Sequence, residues 1–327
     1  FNLLVVDEDS KNFQKRAEIY SRHVFSSKVN RTKVGPDAPH SKIKLGFFSS
    51  DLYDHATLYL IIRLFELIDR DLFEVYIFSY GGVHGGVMRQ RLLHSDVNFI
   101  DVSACSDPQA AELARQTGID VAIDLKGHTS GSRLGIFSYG AAPVQMHYLG
   151  YPGTLGTEFI DYFIADPVVV PDDWRLSFTE KIIFLPDSYQ ATDNLRNISD
   201  AFPTRQSAGL PDDKFVFASF NDPFKITPRL FSAWVDILNE AAESVLWVYA
   251  PRAGVVENLS RYAAAYGISS ERLIFAKQMD QADHLARLKH ADLFLDSFVC
   301  SAHTTASDAL WAGLPLLTLK GRAFQGR

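Results

Sequence analysis

The sequence predicts an α/β fold with two doubly wound parallel sheets. The first observation is alternation, because short β-rich runs alternate with helical runs from Lys42 onward and again in the second half of the chain. The second is length, because 327 residues exceed what one hydrophobic core usually serves. The third is an irregular polar stretch after Asp187 that separates the two series. Two such halves facing each other form a cleft, and ligands bind beyond the carboxyl ends of the strands.

The domain organisation follows from these patterns. Asp9–Ser26 has apolar residues near helical spacing, and a polar stretch with two prolines separates this helix from the first strand. Because the chain opens at Phe1 and stops at Arg327 shortly after a strand, we interpret it as a segment of a longer polypeptide. The predicted segments are a connector (1–41), an N-terminal domain on the acceptor side (42–187), an interdomain connection (188–211) and a truncated C-terminal domain (212–327).

Composition excludes several classes of protein. With 47% hydrophobic and 22% charged residues, the chain is typical of soluble globular proteins. A formal charge of −7 argues against a nucleic-acid partner. No apolar run approaches the length of a membrane span, so no membrane association is expected. Cys105 and Cys300 lack zinc-ligand spacing, and their scarcity fits a reducing cytoplasm.

The stretch SAHTTASDALWAG, residues 301–313, places polar residues where a helix opens. Thr305 and Asp308 have the spacing of a capping box, which predicts a helix that starts near Thr305. Unpaired N–H groups at a helix N-terminus suit a phosphate, and His303 and Thr304 add side-chain donors there. Capping alone is the alternative reading of this stretch.

A lysine follows the strand that opens the second half. In FASFNDPFKITP the strand runs into Asn221, Asp222 and Lys225 before Thr227 and Pro228 begin the next helix. Together with a phosphate-binding helix on the same sheet edge, Lys225 suits the counter-charge of a leaving diphosphate. A solvated surface lysine is the alternative.

In the first half of the chain, polar residues also follow the ends of predicted strands. His55 follows the first strand, and a histidine can position or deprotonate a hydroxyl near neutral pH. Capping or packing at the helix start is its alternative role. DLKGHTSGSR places Lys126 and His128 after another strand, and LGYPGTLG brings a glycine-rich loop with Gly153 and Thr154 to the same edge.

Nine ordered blocks resemble the bacterial-type catalytic region of the O-linked N-acetylglucosamine transferase and SPINDLY family. The likeness runs from about Lys42 to the end of the chain, through GFFSSDLYDHATLYL, DLKGHTSGSR, APVQMHYLGYPGTLG, DYFIADP, FNDPFKITP, SVLWV, RLIFA, ADLFLDS and HTTASDALWAG. It implies a GT-B glycosyltransferase with two Rossmann-like domains, a nucleotide-sugar donor held mainly by the second, no metal or other cofactor, and inversion at the sugar carbon.

The resemblance also implies roles for individual residues. Lys225 falls on the family's essential lysine, and His55 on a histidine beside the reacting sugar, as base or as positioning group. His303, Thr304 and Thr305 fall on residues that hold the diphosphate. The remaining residues expected to bind the donor are Asp308 at the ribose, Arg287 and His284 at the uridine, and Asn221, Asp222, His128, Gly153 and Thr154.

Three positions depart from the family pattern. Asp222 stands where mammalian relatives carry a glutamine, and a carboxylate there repels a diphosphate unless it is turned away or paired with Lys225. Gln281 replaces a lysine near the uracil, and Ala56 replaces a proline. The HTT triplet favours UDP-N-acetylglucosamine, whereas KITP is shared with SPINDLY, which uses GDP-fucose.

The predicted function is transfer of N-acetylglucosamine from UDP-N-acetylglucosamine to Ser or Thr hydroxyls of proteins, without metal. The alternatives are protein O-fucosylation from GDP-fucose, and a nucleotide-sugar-binding relative without turnover. Relatives precede this region with tetratricopeptide helices that gather protein acceptors, and the Asp9–Ser26 helix looks like the connector to such an array.

Overall fold

The computed structural model describes residues 2–25, 41–82, 84–202 and 204–327. These residues form two compact units, each built on one parallel sheet, so the α/β prediction is confirmed. The first unit is Asp9–Asn194, and the second is Asn2–Glu8 with Leu195–Arg327. The boundary falls inside the predicted connection, and most of the predicted linker, residues 26–40, lies outside the described residues.

The first unit carries a seven-stranded parallel sheet in the order β3-β2-β1-β4-β5-β6-β7. The chain moves outward from β1 to β3 and then returns to β4 on the other side of β1. In chain order the elements are α1 (Ser10–Phe25), β1 (Ile43–Ser49), α2 (Ala56–Leu67), β2 (Phe73–Ser79), α3 (Val87–His94), β3 (Asn98–Asp101), α4 (Asp107–Thr117), β4 (Val121–Asp124), α5 (Gly135–Ser138), β5 (Val144–His147), β6 (Tyr162–Ala165) and β7 (Lys181–Phe184).

Apolar spacing explains how these elements pack. In α2, Leu58, Ile61, Ile62 and Phe65 recur at helical spacing and are fully buried. On β1, successive residues point to opposite sides of the sheet, and Phe48 joins a core that includes the buried alanines of α4. The tight core fixes the strand ends, where the polar loops begin.

The second unit carries a five-stranded parallel sheet in the order β10-β9-β8-β11-β12. Here the chain moves outward from β8 to β10 and returns to β11 on the other side of β8. In chain order the elements are β8 (Phe215–Ser219), α6 (Pro228–Glu240), β9 (Ser244–Tyr249), α7 (Ala253–Ala265), β10 (Leu273–Ala276), α8 (Gln281–Leu288), β11 (Leu293–Leu295), α9 (Thr304–Trp311) and β12 (Leu316–Leu317).

Successive side chains of β8 point to opposite faces of the second sheet, and each face has its own core. Phe217 packs in a cluster with apolar residues of α6 and α7, whereas Val216 and Ala218 pack in the cluster that contains Ala309 of α9. Residues 2–8 join this unit, because the Gln325 amide donates to the carbonyls of Leu4 and Asp7 at 3.1 and 3.2 Å.

Candidate active site

The second sheet has its topological switch point between β8 and β11, where neighbouring strands lead to connections that run in opposite directions. Open α/β sheets bind ligands at such points, outside the carboxyl ends of the strands. The loop after β8 carries residues 221–225, and the loop after β11 carries residues 296–303. The donor-binding residues expected after these two strands therefore flank one crevice.

Lys225 is delivered by a short 3₁₀ turn, Pro223–Lys225. Its ammonium donates to the carbonyl of Ser301 at 2.7 Å, which joins the two loops. The exposed Asp222 is the N-cap of the turn, and its carboxylate accepts from the Phe224 N–H at 3.2 Å. One oxygen of the Asp222 carboxylate thus accepts a hydrogen bond within its own turn, while Lys225 reaches across to the loop after β11.

A buried carboxylate organises that loop. Asp296 Oδ1 accepts from the N–H groups of Ser297 and Ala302, each at 2.7 Å, and Oδ2 accepts from Thr318 at 2.7 Å. The buried Asn221 donates to Asp296 at 2.9 Å. Nothing in the sequence pattern singled out Asp296, although a lone acid after a buried strand was a usable signal. It holds the chain that leads into α9.

The N-terminus of α9 differs from the predicted cap. The helix begins at Thr304 with His303 as N-cap, so Thr305 lies inside the first turn. The Thr305 hydroxyl donates to Asn221 Oδ1 at 2.6 Å, and Asp308 pairs with Arg196. The predicted Thr305–Asp308 capping box is therefore wrong, because both side chains have tertiary partners. The half-buried Thr304 opens the helix.

His303 is uncharged at neutral pH. Burial and the nearby Lys225 lower its pKa to about 4. Its Nε2 lies 3.2 Å from the Gln325 carbonyl oxygen, which can only accept, so Nε2 carries the proton. The hydroxyl of the adjacent, buried Ser301 has no hydrogen-bond partner among the described residues. The crevice therefore contains an ammonium, a helix N-terminus and an unmatched hydroxyl, and this set suits an anion.

Asp308 lies one turn further into α9 and is buried. Its Oδ1 accepts from Arg196 Nη1 at 2.6 Å. Burial raises the pKa of Asp308 to about 6, although Arg196 acts in the opposite direction. Arg196, which no sequence signal identified, comes from the predicted connection, 112 residues away in sequence.

Arg287 and His284, expected at the uridine, lie together on α8. Arg287 Nε donates to His284 Nδ1 at 3.1 Å, and Nη1 donates to the Lys277 carbonyl at 2.7 Å. The guanidinium lies 4.7 Å from the Phe220 ring centroid. Burial and Arg287 lower the pKa of His284 to about 3, so the ring is neutral, with its proton on Nε2. Gln281 begins α8.

The first sheet has its own switch point, between β1 and β4, and it is lined by paired charges. Lys126 donates to Asp51 Oδ2, and both residues are buried. Asp124 accepts from the N–H groups of Lys126 and Gly127 at 3.1 and 2.7 Å and bonds His147 Nδ1 at 2.7 Å. Lys126 was expected at this edge from the sequence, but its partner Asp51 and the neighbouring Asp124 were not.

His55 is the N-cap of α2, so the capping role considered in the sequence analysis is realised. Its Nδ1 accepts from the Thr57 N–H at 3.2 Å and lies 3.6 Å from Asp51 Oδ2. Burial lowers the pKa of His55, with a smaller contribution of the same sign from Lys126 and an opposing one from Asp51. Because Nδ1 accepts, the neutral ring carries its proton on Nε2.

The glycine-rich loop is tied to its own unit. His128 Nε2 donates to the Leu155 carbonyl at 2.8 Å, and burial lowers the His128 pKa. The Thr154 hydroxyl donates to the buried Glu180 at 2.7 Å, and burial raises the pKa of Glu180. A Cβ added to Gly153 would meet only the Tyr151 ring, at 3.4 Å. Any contact of these residues with a donor therefore adds to an existing structural role.

Two physical classes of site can be assessed directly. Within the described ranges, no group of three or more His, Cys, Asp or Glu residues is arranged to hold a metal ion. Independence from metal remains a prediction. None of the helices in the described part of the chain is both long and apolar enough to cross a bilayer.

Known proteins resemble this chain over most of its length. The family model for glycosyl transferase family 41 matches residues 18–200 and 199–327. A probable UDP-N-acetylglucosamine–peptide N-acetylglucosaminyltransferase, SEC of Arabidopsis thaliana, is 35% identical over 284 residues, covering 85% of this chain and 29% of that protein. An Arabidopsis thaliana relative with the same enzyme name, SPINDLY, is 27% identical and covers 86% of this chain and 31% of its own length.

A solved structure of a related transferase has a similar fold. A mutant O-GlcNAc transferase from Thermobaculum terrenum superposes with a TM-score of 0.88 and 28% identity, covering 99% of this chain and 62% of that one. The likeness confirms the predicted GT-B class for the two parallel sheets. The chain spans less than a third of the length of the two plant relatives.

Proposed function

Since this chain belongs to glycosyl transferase family 41, we propose that it binds UDP-N-acetylglucosamine at the second switch point and transfers N-acetylglucosamine to Ser or Thr hydroxyls of proteins. One observation carries the proposal: Lys225 and the N-terminus of α9 converge at the β8–β11 crevice, around Ser301. The names of the two plant relatives describe probable transfer of N-acetylglucosamine from UDP-N-acetylglucosamine to peptide for those proteins.

The diphosphate is the part of the donor that fits this crevice best. The N–H groups of Thr304 and Thr305 precede the first hydrogen bonds of α9, which Ala306 and Ser307 donate to the His303 carbonyl, and the helix dipole favours negative charge there. The hydroxyls of Thr304 and Ser301 and the ammonium of Lys225 supply further donors. Asp222 faces its own turn, which reduces its repulsion of the phosphates.

The nucleoside is assigned to α8 and α9. An ionised Asp308 accepts hydrogen bonds from ribose hydroxyls, and a neutral His284 offers an Nε2–H to the base. Arg287 orients His284 through its hydrogen bond to Nδ1. We assign Asn221 to the support of Thr305 and the phosphate site, because its amide joins Thr305 to Asp296.

Catalysis is assigned to charge stabilisation at the leaving group. Negative charge grows on the diphosphate as the glycosidic bond breaks, and Lys225 is placed to neutralise it. His55 acts on the acceptor side as a hydrogen-bond donor through Nε2, since its Nδ1 is held by Thr57. The reaction inverts the sugar carbon and needs no metal.

The decisive experiment is a transfer and hydrolysis assay of the full-length protein with a panel of UDP- and GDP-sugars in excess EDTA. Turnover of UDP-N-acetylglucosamine with labelling of protein Ser or Thr is the expected result. Preference for GDP-fucose would favour the fucosyltransferase alternative. Binding of a nucleotide sugar without any turnover would identify an inactive relative.

The protein partners and the cellular location are also proposals. The relatives are much longer than this chain, and we assign tetratricopeptide helices that gather protein acceptors to the part of the protein preceding α1. Cys105 and Cys300 are free thiols, which suits a reducing cytoplasm. Nucleic acid and membranes are not proposed as partners.

A further inference from the structure

Arg196 forms a buried ion pair with Asp308. The two side chains are 3% and 9% exposed, and Arg196 Nη1 donates to Asp308 Oδ1 at 2.6 Å. The other arm of the guanidinium, Nη2, donates to the Ser307 carbonyl at 3.2 Å. Arg196 therefore donates hydrogen bonds to two successive residues of α9, to the backbone carbonyl of Ser307 and to the side chain of Asp308.

Further contacts fix the guanidinium in place. It lies 5.0 Å from the ring centroid of Trp311, within the range of a cation–π contact. The Trp311 Nε1–H in turn donates to the Arg196 carbonyl at 3.2 Å. A planar fork held in this way can set the orientation of a carboxylate, which a flexible ammonium cannot do as well.

We propose that Arg196 is a positioning residue of the nucleotide site: it takes Oδ1 of Asp308 and thereby fixes Oδ2 to accept a hydrogen bond from a ribose hydroxyl. The inference rests on the proposed function and deepens it, because discrimination between ribose and deoxyribose is assigned to the Arg196–Asp308 pair. Arg196 itself touches no substrate in this account.

Electrostatics give the pair a second effect. A carboxylate buried as deeply as Asp308 tends to take up a proton, and a protonated acid is a poorer acceptor for a hydroxyl. Arg196 opposes the rise in the Asp308 pKa, so its removal raises that pKa further above about 6. In a variant without Arg196, UDP binding that requires an ionised Asp308 is then retained only at higher pH.

Other groups packed against α9 do not replace Arg196. Gln281 of α8 also lowers the Asp308 pKa, but it carries no charge. On the same helix, Asp283 accepts from a serine hydroxyl, and Arg287 bonds the neutral His284. The neighbouring strand β12 contributes two leucines. Among the residues that the structure describes, Arg196 is thus the cation that bonds Asp308 directly.

The test compares UDP with 2′-deoxy-UDP and 3′-deoxy-UDP by calorimetry on the full-length protein. The wild type is expected to prefer UDP over one deoxy analogue by about 10- to 100-fold, the scale of a hydrogen bond to a charged group. In Arg196→Met this ratio should fall to within about threefold at pH 7, and the pH midpoint of UDP binding should move upward.

Arg205→Met is the matched control. Arg205 forms an ion pair with Asp292 at 2.7 Å in the same unit and donates to the Lys214 carbonyl at 2.9 Å, but it has no contact with α9 in these hydrogen bonds. It should keep the wild-type ratio and midpoint. If Arg196→Met fails to fold, Arg196→Lys is tested by the same ratio of UDP affinity to deoxy-UDP affinity. This variant keeps the positive charge but loses the planar fork of the guanidinium.

The outcomes separate this inference from the proposed function. A folded Arg196 variant that weakens UDP and both deoxy analogues equally, with an unchanged pH midpoint, overturns the positioning role and leaves the nucleotide site standing. A wild-type protein that does not bind UDP overturns the proposed function and, with it, this role.

Discussion

The two switch points of the molecule use their polar residues in opposite ways. At the first, between β1 and β4, Lys126 is matched by Asp51, and the Asp124 carboxylate by His147 and two backbone N–H groups. At the second, between β8 and β11, Lys225 is held by a neutral carbonyl next to an open helix N-terminus. Removing one partner of a buried charge pair leaves an uncompensated charge and destabilises the fold, whereas donors without a matching anion suit a ligand.

The largest expected effect sharpens this contrast at Lys225. Lys225→Ala should lower kcat by about 10²–10³ and donor affinity much less, because stabilisation of the leaving group grows in the transition state. Steady-state kinetics on the full-length protein measure both. Lys214→Ala removes a lysine paired with Glu243 elsewhere in the unit and should leave kcat unchanged. Near wild-type kcat in Lys225→Ala would contradict the leaving-group role and leave Lys225 with its structural hydrogen bond to Ser301 alone.

The matching test at the first switch point predicts a loss of stability. Asp124→Asn places an amide against the N–H groups of Lys126 and Gly127 and should lower the free energy of unfolding by about 2–3 kcal/mol. Urea denaturation measures the change, and UDP affinity should be unaltered. Asp96→Asn, at a carboxylate that is 88% exposed, should change stability by less than about 0.5 kcal/mol. A variant as stable as the wild type, or one with weaker UDP binding, contradicts the structural role.

A smaller effect is expected in the pH dependence of the second unit. His303 has a folded pKa of about 4, below the ordinary value of about 6.5, so the unfolded chain takes up the proton first as pH falls. Stability is therefore fully present above pH ~6.5 and should decrease by about 1–2 kcal/mol by pH ~4. His303→Asn should flatten this slope in pH-dependent denaturation, with His284 retaining part of it. His94→Asn is the control, and an unchanged slope in His303→Asn would contradict the prediction.

The smallest effect concerns the role of His55. If His55 is a donor through Nε2, His55→Asn should lower kcat by only about tenfold and leave the acidic limb of its pH profile in place. Asparagine can still cap α2, so the helix start is preserved. Disappearance of the acidic limb would instead identify His55 as the general base.

The polar ends of the strands were predictable from sequence, but their partners were not. Short β-rich runs and helical runs located β8, β11 and α9, so Lys225 and Thr304 could be placed at one sheet edge before the strand order was known. The Lys126–Asp51 contact spans 75 residues and depends on β1 lying beside β4. No local signal records such an order.

The incorrect capping box shows the same limit. A T-x-x-D spacing is a local signal, and it predicts a cap only where no tertiary partner competes. Asn221 takes the hydroxyl of Thr305, and Arg196 takes Asp308, each from a distant part of the chain. The helix then begins one residue earlier, at Thr304, with His303 as N-cap.

The most direct measurement of the central claim is a calorimetric titration of UDP in EDTA, with the Thr304→Ala, Thr305→Ala double variant beside the wild type. Binding without metal is expected, with a loss of about 1–3 kcal/mol in the double variant, because Thr304 is lost as a donor to a charged group and Asn221 loses the Thr305 hydroxyl that it holds. Thr227→Ala, which removes only the cap of α6, should bind UDP as the wild type does. Unchanged UDP affinity in the double variant, or strict dependence on Mg²⁺, would contradict a diphosphate site at α9.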